Sequence, residues 1–564
     1  MYSELINRLK PKPAFNLRWY TDKDLYSDGP AEDLIIKMIA ENEPEKYTEA
    51  ILQNMNWPVY YYLTHQRKNI LNWYPFKKDG SVLEIGCGMG AITSMLCDKC
   101  HDVTAVELSK RRATATLLRC RDKENLEIIV GNLNDIEFEK TFDYITLIGV
   151  LEYQGTFTDT KNPYLDFLAG IKKLLKPDGK LLVAIENKYG LKYWCGAGED
   201  HTGIPFEGMN QYSISNSIAR TFAKKELEDL IKSSGFAHTF FYYPMPDYKL
   251  PTVIYSQSRT PKDENMYNMQ PYYIPDNTTL VANEMDIYKD IIDNDVFGFF
   301  ANSFLVECSD DADLGIVTES ILSSERLEKY RIGTVFTKNH TVEKFPLSEA
   351  EGAAHVEQIL KNTRAMEGMG RGVLPTEFKD GKLVSPYVQD ELLENQVMDA
   401  CKKGDIDRFY QLLDRVYQEI LASSEQIAAE ENIFYTMQID TDTNSEKYGP
   451  IMRIGYLDMI LRNAFYADGE IRWFDQEWIL ECVPARFIFF RSVVLLYSKF
   501  PWIEEIIPIA EAAGRYQLLT AWQEFDRLDN MFLGITADLV HIRQGQILRG
   551  QSKAAYLDNI KKLL

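Results

Sequence analysis

The sequence predicts an α/β chain: a seven-stranded sheet built from βαβ units in the first half, behind a helical N-terminal cap, then an α+β unit of two lobes. Three observations predict it. A glycine-dense turn over 82–91, VLEIGCGMGA, joins a buried apolar strand to a helix. Short apolar strands then alternate with helical stretches as far as Ser258. Beyond residue 290 the alternation gives way to a run of strands followed by amphipathic helices.

The elements follow in order. Glu84 stands two residues before Gly86. Gly86, Gly88 and Gly90 let backbone approach a ligand closely, and the helix beginning near Ile92 points its N-terminus at it. Taken alone, Gly86, Gly88 and Ala91 also make a GxGxxA dinucleotide fingerprint, and an acid some 20 residues on fits either reading. The stretch 101–108, HDVTAVEL, is a strand ending in Glu107, where a carboxylate can accept both ribose hydroxyls of an adenosine. LEIIVGNLND is a third strand running into Asn132, and FDYITLIGVLEY a fourth, with Asp143 at its start and Glu152 near its end. A helix over 164–175 leads to a turn at Pro177, Asp178 and Gly179 and a buried strand over 181–185. A helix over 224–236 closes at Gly235, and two strands around a Pro-rich turn complete the seven by Ser258.

This series, with an acid before the glycines and an LKPDG turn before the fifth strand, resembles the class I S-adenosylmethionine-dependent methyltransferases, whose sheet is Rossmann-like. The resemblance implies that Glu84, Gly86, Gly88 and Gly90 hold the amino-acid end of S-adenosylmethionine and that Glu107 holds its ribose. It places Asn132 where the family often has an Asp facing the adenine amine. The wording of ENKYGLKYWCGAGEDHTG and YYPMPDYKLP is similar to that of methyltransferases associated with bacterial cell-surface glycan assembly, which implies a carbohydrate or phosphosugar acceptor.

Length and charge bound the rest. At 564 residues the chain exceeds one core. We expect a helical N-terminal cap over 1–79, the methyltransferase domain over 80–258, a polar linker over 259–290 and a second domain over 291–564. The cap carries apolar side chains at helical spacing, and its Arg67 is either a contact for an anionic acceptor or a solvated charge. The net charge of −22 and absence of a basic stripe argue against a nucleic-acid partner. The start of the chain lacks an apolar signal segment, and the apolar run 487–497 contains Arg491 and is too short to span a bilayer, so it is expected to be a core helix. These features predict a cytoplasmic protein, with peripheral docking at the inner face of a membrane leaving no mark. Eight cysteines without a framework suit a reducing compartment, and Cys97 and Cys100 are expected to pack a helix instead of binding zinc.

Chemistry is expected beyond the carboxyl ends of the fourth and fifth strands. The loop over 186–212 mixes aromatics suited to sugar faces, Tyr189, Tyr193 and Trp194, with the cluster Glu199, Asp200 and His201. Methylating a hydroxyl requires removal of a proton, and a His held by a carboxylate is a good base near neutral pH. His201 is the candidate base, with Asp200 or Glu199 orienting it.

In the second half NSFLVECS, KYRIGTVFT and HTVEKFPL read as strands, the last carrying Lys344, and a helix follows with Glu357 as a plausible partner for that lysine. LVSPYVQDELLE is a strand entering a hinge, and DRFYQLLDRVYQEI opens a helical lobe. In GYLDMILRNAFYADGEIRWFDQEW, Asp458 and Asn463 stand five apart, and Asp475 follows a hairpin with an Asp-Gly turn. This resembles the catalytic loop and metal-binding Asp of the protein-kinase-like fold, including the aminoglycoside phosphotransferase branch. The resemblance implies that Asp458 positions an acceptor hydroxyl, Asn463 and Asp475 hold Mg2+ on ATP, and Lys344 holds the phosphates. The chain departs from that pattern at Tyr456 and Leu457, at the DQE sequence from Asp475, and in having no glycine-rich loop before Lys344. The domain order resembles bifunctional enzymes that phosphorylate and methylate the end of a bacterial surface polysaccharide, though without their coiled-coil tail. The alternative is a non-catalytic kinase-like module docking the methyltransferase to glycosyltransferases of a surface-polysaccharide assembly.

Overall fold

In the computed structural model, the described residues are 2–548 and 553–563, apart from 25, 28, 55, 263–271, 273–278 and 441–444. Contacts group them into two units, Met1–Ser324 with Val540–Leu564, and Glu325–Leu539. The expected boundary lay at residue 258, and residues 263–271 and 273–278 of the expected linker fall outside the described residues.

The first unit is built on strands β1 (Ala14–Asn16), β2 (Ser81–Ile85), β3 (Asp102–Glu107), β4 (Leu126–Val130), β5 (Phe142–Ile148), β6 (Leu175–Glu186), β7 (His238–Met245), β8 (Val253–Ser256), β9 (Ser303–Ser309) and β10 (Val317–Leu322). Their order is β1-β4-β3-β2-β5-β6-β9-β7-β8-β10. β1 to β6 pair in parallel, and β9 inserts antiparallel to both β6 and β7. Leu83, Ile145, Leu147, Val183 and Ile185 are buried, as both faces of a helix-covered parallel sheet require.

Three features differ from expectation. NSFLVECS, read as the opening strand of the second half, is β9, the seventh strand of this sheet. Phe304, Leu305, Val306 and Cys308 are fully buried there. Its one acid, Glu307, is satisfied by Tyr74 OH at 2.6 Å, Lys180 Nζ at 2.8 Å and Gly315 N at 2.9 Å. The expected Pro177–Gly179 turn is a bulge inside β6, because Phe142 pairs with Leu175 while Tyr144 pairs with Lys180. The N-terminal cap also contributes β1, which extends the sheet beyond β4.

The rest of the cap is helical, as its spacing predicts. Asn56 caps the Trp57–Leu63 helix by accepting from Val59 N at 3.0 Å. Ile35, Ile36, Ile39, Tyr60 and Leu63 form a buried cluster with Met89 of the glycine turn and with Ala115 and Leu118 of the Lys110–Arg119 helix. The cap therefore lies against the elements that shape the turn.

The second unit contains β11 (Ile332–Thr337), β12 (Thr341–Pro346), β13 (Glu377–Lys379) and β14 (Lys382–Pro386), antiparallel in the order β11-β12-β14-β13. The Glu349–Gly368 helix packs on them through Val356 and Ile359. A larger, mostly helical core follows, around the Ile406–Leu421 and Ala485–Lys499 helices. It includes the strands β15 (Gln426–Ile427), β16 (Ile451–Tyr456) and β19 (Ile479–Pro484), and the hairpin of β17 (Ala464–Ala467) and β18 (Glu470–Trp473). The apolar run around Arg491 is a core helix as expected, with Arg491 paired to Asp529 at 2.7 Å. Among the described residues, no helix is long and apolar enough to cross a membrane.

Candidate active site

The glycine turn leaves β2 and enters the Ala91–Lys99 helix. Gly86 has φ +77°, and a Cβ there would lie 2.4 Å from a Val150 methyl. Gly90 has φ +79°, and a Cβ would lie 2.9 Å from Thr116 Cα. Both positions therefore need glycine for conformation and for space. Glu84, at the carboxyl end of β2, is buried, and its Oε2 has no hydrogen-bond partner. Burial pushes its carboxyl up to about 7, with Thr93 and Arg67 opposing the shift only in part.

Glu107 ends β3 on the same edge of the sheet. Its Oε2 accepts from Gly88 N at 2.8 Å and its Oε1 from Ser109 N at 3.1 Å. Arg112 lies 3.9 Å from Glu107 and bonds Tyr62 OH of the cap at 3.2 Å. Asn132 is half-buried, and its side chain is engaged locally: Oδ1 accepts from Asn134 N at 3.1 Å and Nδ2 donates to Phe157 O at 3.1 Å. Arg67 is neither solvated nor free for an acceptor. It is buried, donates to Tyr248 O and Lys249 O, both at 3.2 Å, and lies over the ring of Tyr61.

Within the 186–212 loop, the buried acid Glu199 organises the turn that carries His201. Glu199 accepts from His201 N at 2.9 Å, Thr202 N at 3.0 Å and Tyr212 OH at 3.2 Å, and its Oε1 lies 3.0 Å from His201 Nδ1. A carboxylate only accepts, so Nδ1 carries the hydrogen and Nε2 is the nitrogen left for chemistry. Nε2 lies 3.8 Å from Glu152 Oε1, and Tyr153 packs edge-on against the ring. Tyr26 of the cap in turn packs on Tyr153, so the cap reaches this side of the site.

Asp200 does not orient His201, which corrects that part of the expectation. It pairs with Lys192 and Lys249, each at 2.8 Å, and accepts from Tyr193 OH and from Tyr272 OH. Burial works against its charge, yet the two lysines hold its carboxyl well below the usual range. The aromatics are also deployed differently. Tyr193 is buried in this network and Tyr189 stacks on Phe299, while Trp194 is 47 % exposed. Cys97 and Cys100 are buried free thiols and His101 is exposed, in keeping with packing.

Sequence reasoning missed the convergence of His201 with the acids after β5 and at the end of β6. Glu152 and Glu186 are both buried, and Oε2 of each has no hydrogen-bond partner. Lys249 and Tyr248 OH occupy the other oxygen of Glu186. Glu152 was visible as an acid closing the fourth strand, and Glu186 as the first residue of the dense loop, but nothing local joined them to His201.

In the second unit Lys344 stands on β12, opposite Thr334 and Leu383. Its carboxylate partner is Asp475, not the expected Glu357, which is exposed. Asp475 follows the β17–β18 hairpin with φ +57°. Asn463 donates to Asp458 O at 3.3 Å. Asp458 Oδ2 accepts from Glu477 N at 2.9 Å and Trp478 N at 3.0 Å, and burial and the neighbouring Glu477 push its carboxyl up to about 7. Glu477, another residue the sequence left unmarked, is clamped by Arg326 and by His355 Nε2 at 3.0 Å.

Residues 83–183 match the family model described as a methyltransferase domain. This chain carries a methyltransferase domain. It is 34% identical over 115 residues to an uncharacterized methyltransferase of Staphylococcus carnosus, across 20% of this chain and 51% of that protein. It is 28% identical over 122 residues to malonyl-acyl-carrier-protein O-methyltransferase of Priestia megaterium, across 21% and 42%. The chain thus spans about half the length of these curated relatives. A solved S-adenosylmethionine-dependent methyltransferase from Clostridium acetobutylicum aligns at 11% identity and a TM-score of 0.26, over 47% of this chain and 95% of that one.

The residues present fit S-adenosylmethionine. Glu84 offers an unused buried carboxylate oxygen suited to an ammonium group, the turn keeps side chains away at Gly86 and Gly90, and Glu107 closes β3 with a carboxylate on the same edge of the sheet.

Proposed function

We propose that this protein transfers a methyl group from S-adenosylmethionine to a hydroxyl of a bacterial surface glycan or its phosphosugar precursor. The observation that carries the reading is a glycine turn with an orphaned buried carboxylate, Glu84, inside the methyltransferase match. S-adenosylmethionine supplies an electrophilic methyl on a positively charged sulfur. Glu84, Gly86, Gly88 and Gly90 would hold its amino-acid end and Glu107 its ribose. Asn132, being engaged in its own loop, would contribute to the adenine only through the backbone it shapes.

A lone pair of the acceptor oxygen forms the new O–CH3 bond. The S–CH3 bond would break with its electrons going to sulfur, leaving S-adenosylhomocysteine, and the hydroxyl proton would go to His201 Nε2. Glu199 holds that ring, and Asp200 supports the loop through its lysines. The glycan assignment rests on the likeness of the 186–212 wording to surface-glycan methyltransferases. Transfer of labelled methyl from S-adenosylmethionine to isolated surface glycan or phosphosugar tests it. Labelling lost in Glu84→Gln and His201→Ala is expected, and saturable cofactor binding with no label on any hydroxyl acceptor would refute the acceptor class.

A second reading concerns Glu325–Leu539. We infer a kinase-like unit that phosphorylates the same acceptor, supported by the Lys344–Asp475 ion pair and by Asn463 beside Asp458. Asp458 would position the acceptor hydroxyl, Asn463 and Asp475 would hold Mg2+, and Lys344 the phosphates of ATP. The alternative is a scaffold for glycosyltransferases. Calorimetric titration with ATP and Mg2+ decides between them: binding lost in Lys344→Met supports the kinase reading, and no binding at millimolar ATP supports the scaffold.

A further inference from the structure

Glu152, Glu186 and His201 come from three separate stretches of chain and converge. One donor atom of each lies within 4.8 Å of the others. Glu152 follows β5 and Glu186 ends β6, the two strands whose carboxyl ends face the reacting end of a ligand in an open α/β sheet. We propose that these three residues form a divalent-cation site, taking Mn2+ or Zn2+, against which the acceptor hydroxyl is placed.

Four observations carry it. First, Oε2 of Glu152 and Oε2 of Glu186 are buried without a hydrogen-bond partner, although each residue is only 1% exposed. A buried carboxylate oxygen left unpaired is costly, and two buried carboxylates with oxygens within 4.8 Å of each other call for positive charge between them. Secondly, Lys249 does not fill that role. It sits on Oε1 of Glu186, together with Tyr248 OH, so Oε2 remains the open donor.

Thirdly, His201 is prepared as a ligand. Its Nδ1 is committed to Glu199, which turns Nε2 toward Glu152 and fixes the ring. A ligating His generally gives its other ring nitrogen to a carboxylate in this way. Glu199 is itself held by two backbone amides and Tyr212 OH, so the ring has a rigid support. Fourthly, the donor set selects the ion. One imidazole and two carboxylates suit Mn2+ or Zn2+ better than Mg2+ or Ca2+, which prefer oxygen alone. Three protein donors leave coordination positions open for a substrate oxygen.

The proposal rests on the hydroxyl-acceptor reading and refines the part of His201. With a cation bound, Nε2 would be a ligand, the ion would make the hydroxyl acidic, and the hydroxyl proton would pass to solvent water as the O–CH3 bond forms.

The test uses the full chain freed of metal with EDTA, in an Asp475→Asn background so that the second unit contributes no ion. Mn2+ binding is followed by electron paramagnetic resonance and Zn2+ binding by calorimetry, with S-adenosylmethionine titrated into the same samples. One saturable equivalent of ion is expected, weakened at least about tenfold in Glu152→Gln, Glu186→Gln and His201→Ala. A rise in melting temperature with Mn2+ should be lost in whichever of these variants still melts cooperatively. Cation binding of equal strength in all three variants overturns the site. Saturable S-adenosylmethionine binding with no cation binding also overturns it and leaves the methyltransferase reading standing. Cation binding without S-adenosylmethionine binding supports the site and removes that reading.

Discussion

Glu199 Oε1 lies 3.0 Å from His201 Nδ1, and the same carboxylate is braced by Tyr212 OH at 3.2 Å. One acid thus fixes both the tautomer and the direction of the imidazole. Glu199→Gln keeps the size but weakens that hold. The expected result is a fall in kcat on the order of 10–100-fold with little change in KM for S-adenosylmethionine. Initial rates of labelled methyl transfer, with circular dichroism as the check on folding, measure it.

Asp200 should behave in the opposite way. Its carboxylate satisfies the buried ammonium of Lys192 and pairs with Lys249. Asp200→Asn leaves those charges under-compensated, at an expected cost of about 3–5 kcal/mol in stability. Urea denaturation checks this. A variant as stable as the parent would show that Asp247, 2.9 Å from Lys192, and Glu186, already paired with Lys249, suffice to hold the two ammonium groups.

Glu84 gives a pH prediction. Its carboxyl is raised to about 7 in the folded protein from an ordinary value of 4.5, so the folded state holds the proton more tightly than the unfolded state. The stability this contributes is present below pH 4.5 and is lost as pH rises through 7. Glu84→Gln has no such loss. Its melting temperature should match the parent near pH 4.5 and exceed it above pH 7, by an amount corresponding to as much as about 3 kcal/mol. The same variant should bind S-adenosylmethionine more weakly at pH 8. Parallel melts across the pH range and a titration at pH 8 test both halves.

Gly90→Ala forces a side chain into left-handed backbone at φ +79° and to within 2.9 Å of Thr116 Cα. A cost of about 1–3 kcal/mol in stability is expected from the backbone conformation alone. Displacement of the Lys110–Arg119 helix should also weaken cofactor binding. Calorimetry with S-adenosylhomocysteine reads the second effect, and unchanged affinity would show that the turn tolerates the shift.

The sequence alone carried the methyltransferase stretch of the first unit and, from KYRIGTVFT onward, the order of strands and helices in the second. Three glycines at alternate positions after an apolar strand, an acid before them and another closing the next strand are local features, set by backbone conformation and strand period. Residues 83–183 match a methyltransferase domain on those same stretches. Likewise, the period of 409–420 and the hairpin before Asp475 were legible because helices and tight turns are short-range structures.

Tertiary structure decided what depends on partners distant in the chain. NSFLVECS has the composition of a strand in any sheet, and only its fit between β6 and β7, with Glu307 met by Tyr74 and Lys180, assigned it to the first unit. The choice between Glu199 and Asp200 was open in sequence because both flank His201. It was settled by Lys192 and Lys249, which draw Asp200 away, and by Tyr212, which holds Glu199 in place. Glu152 and Glu186 meet because paired parallel strands bring their carboxyl ends to one edge of the sheet, and Glu199 turns His201 toward them, relations between distant stretches that no local pattern encodes.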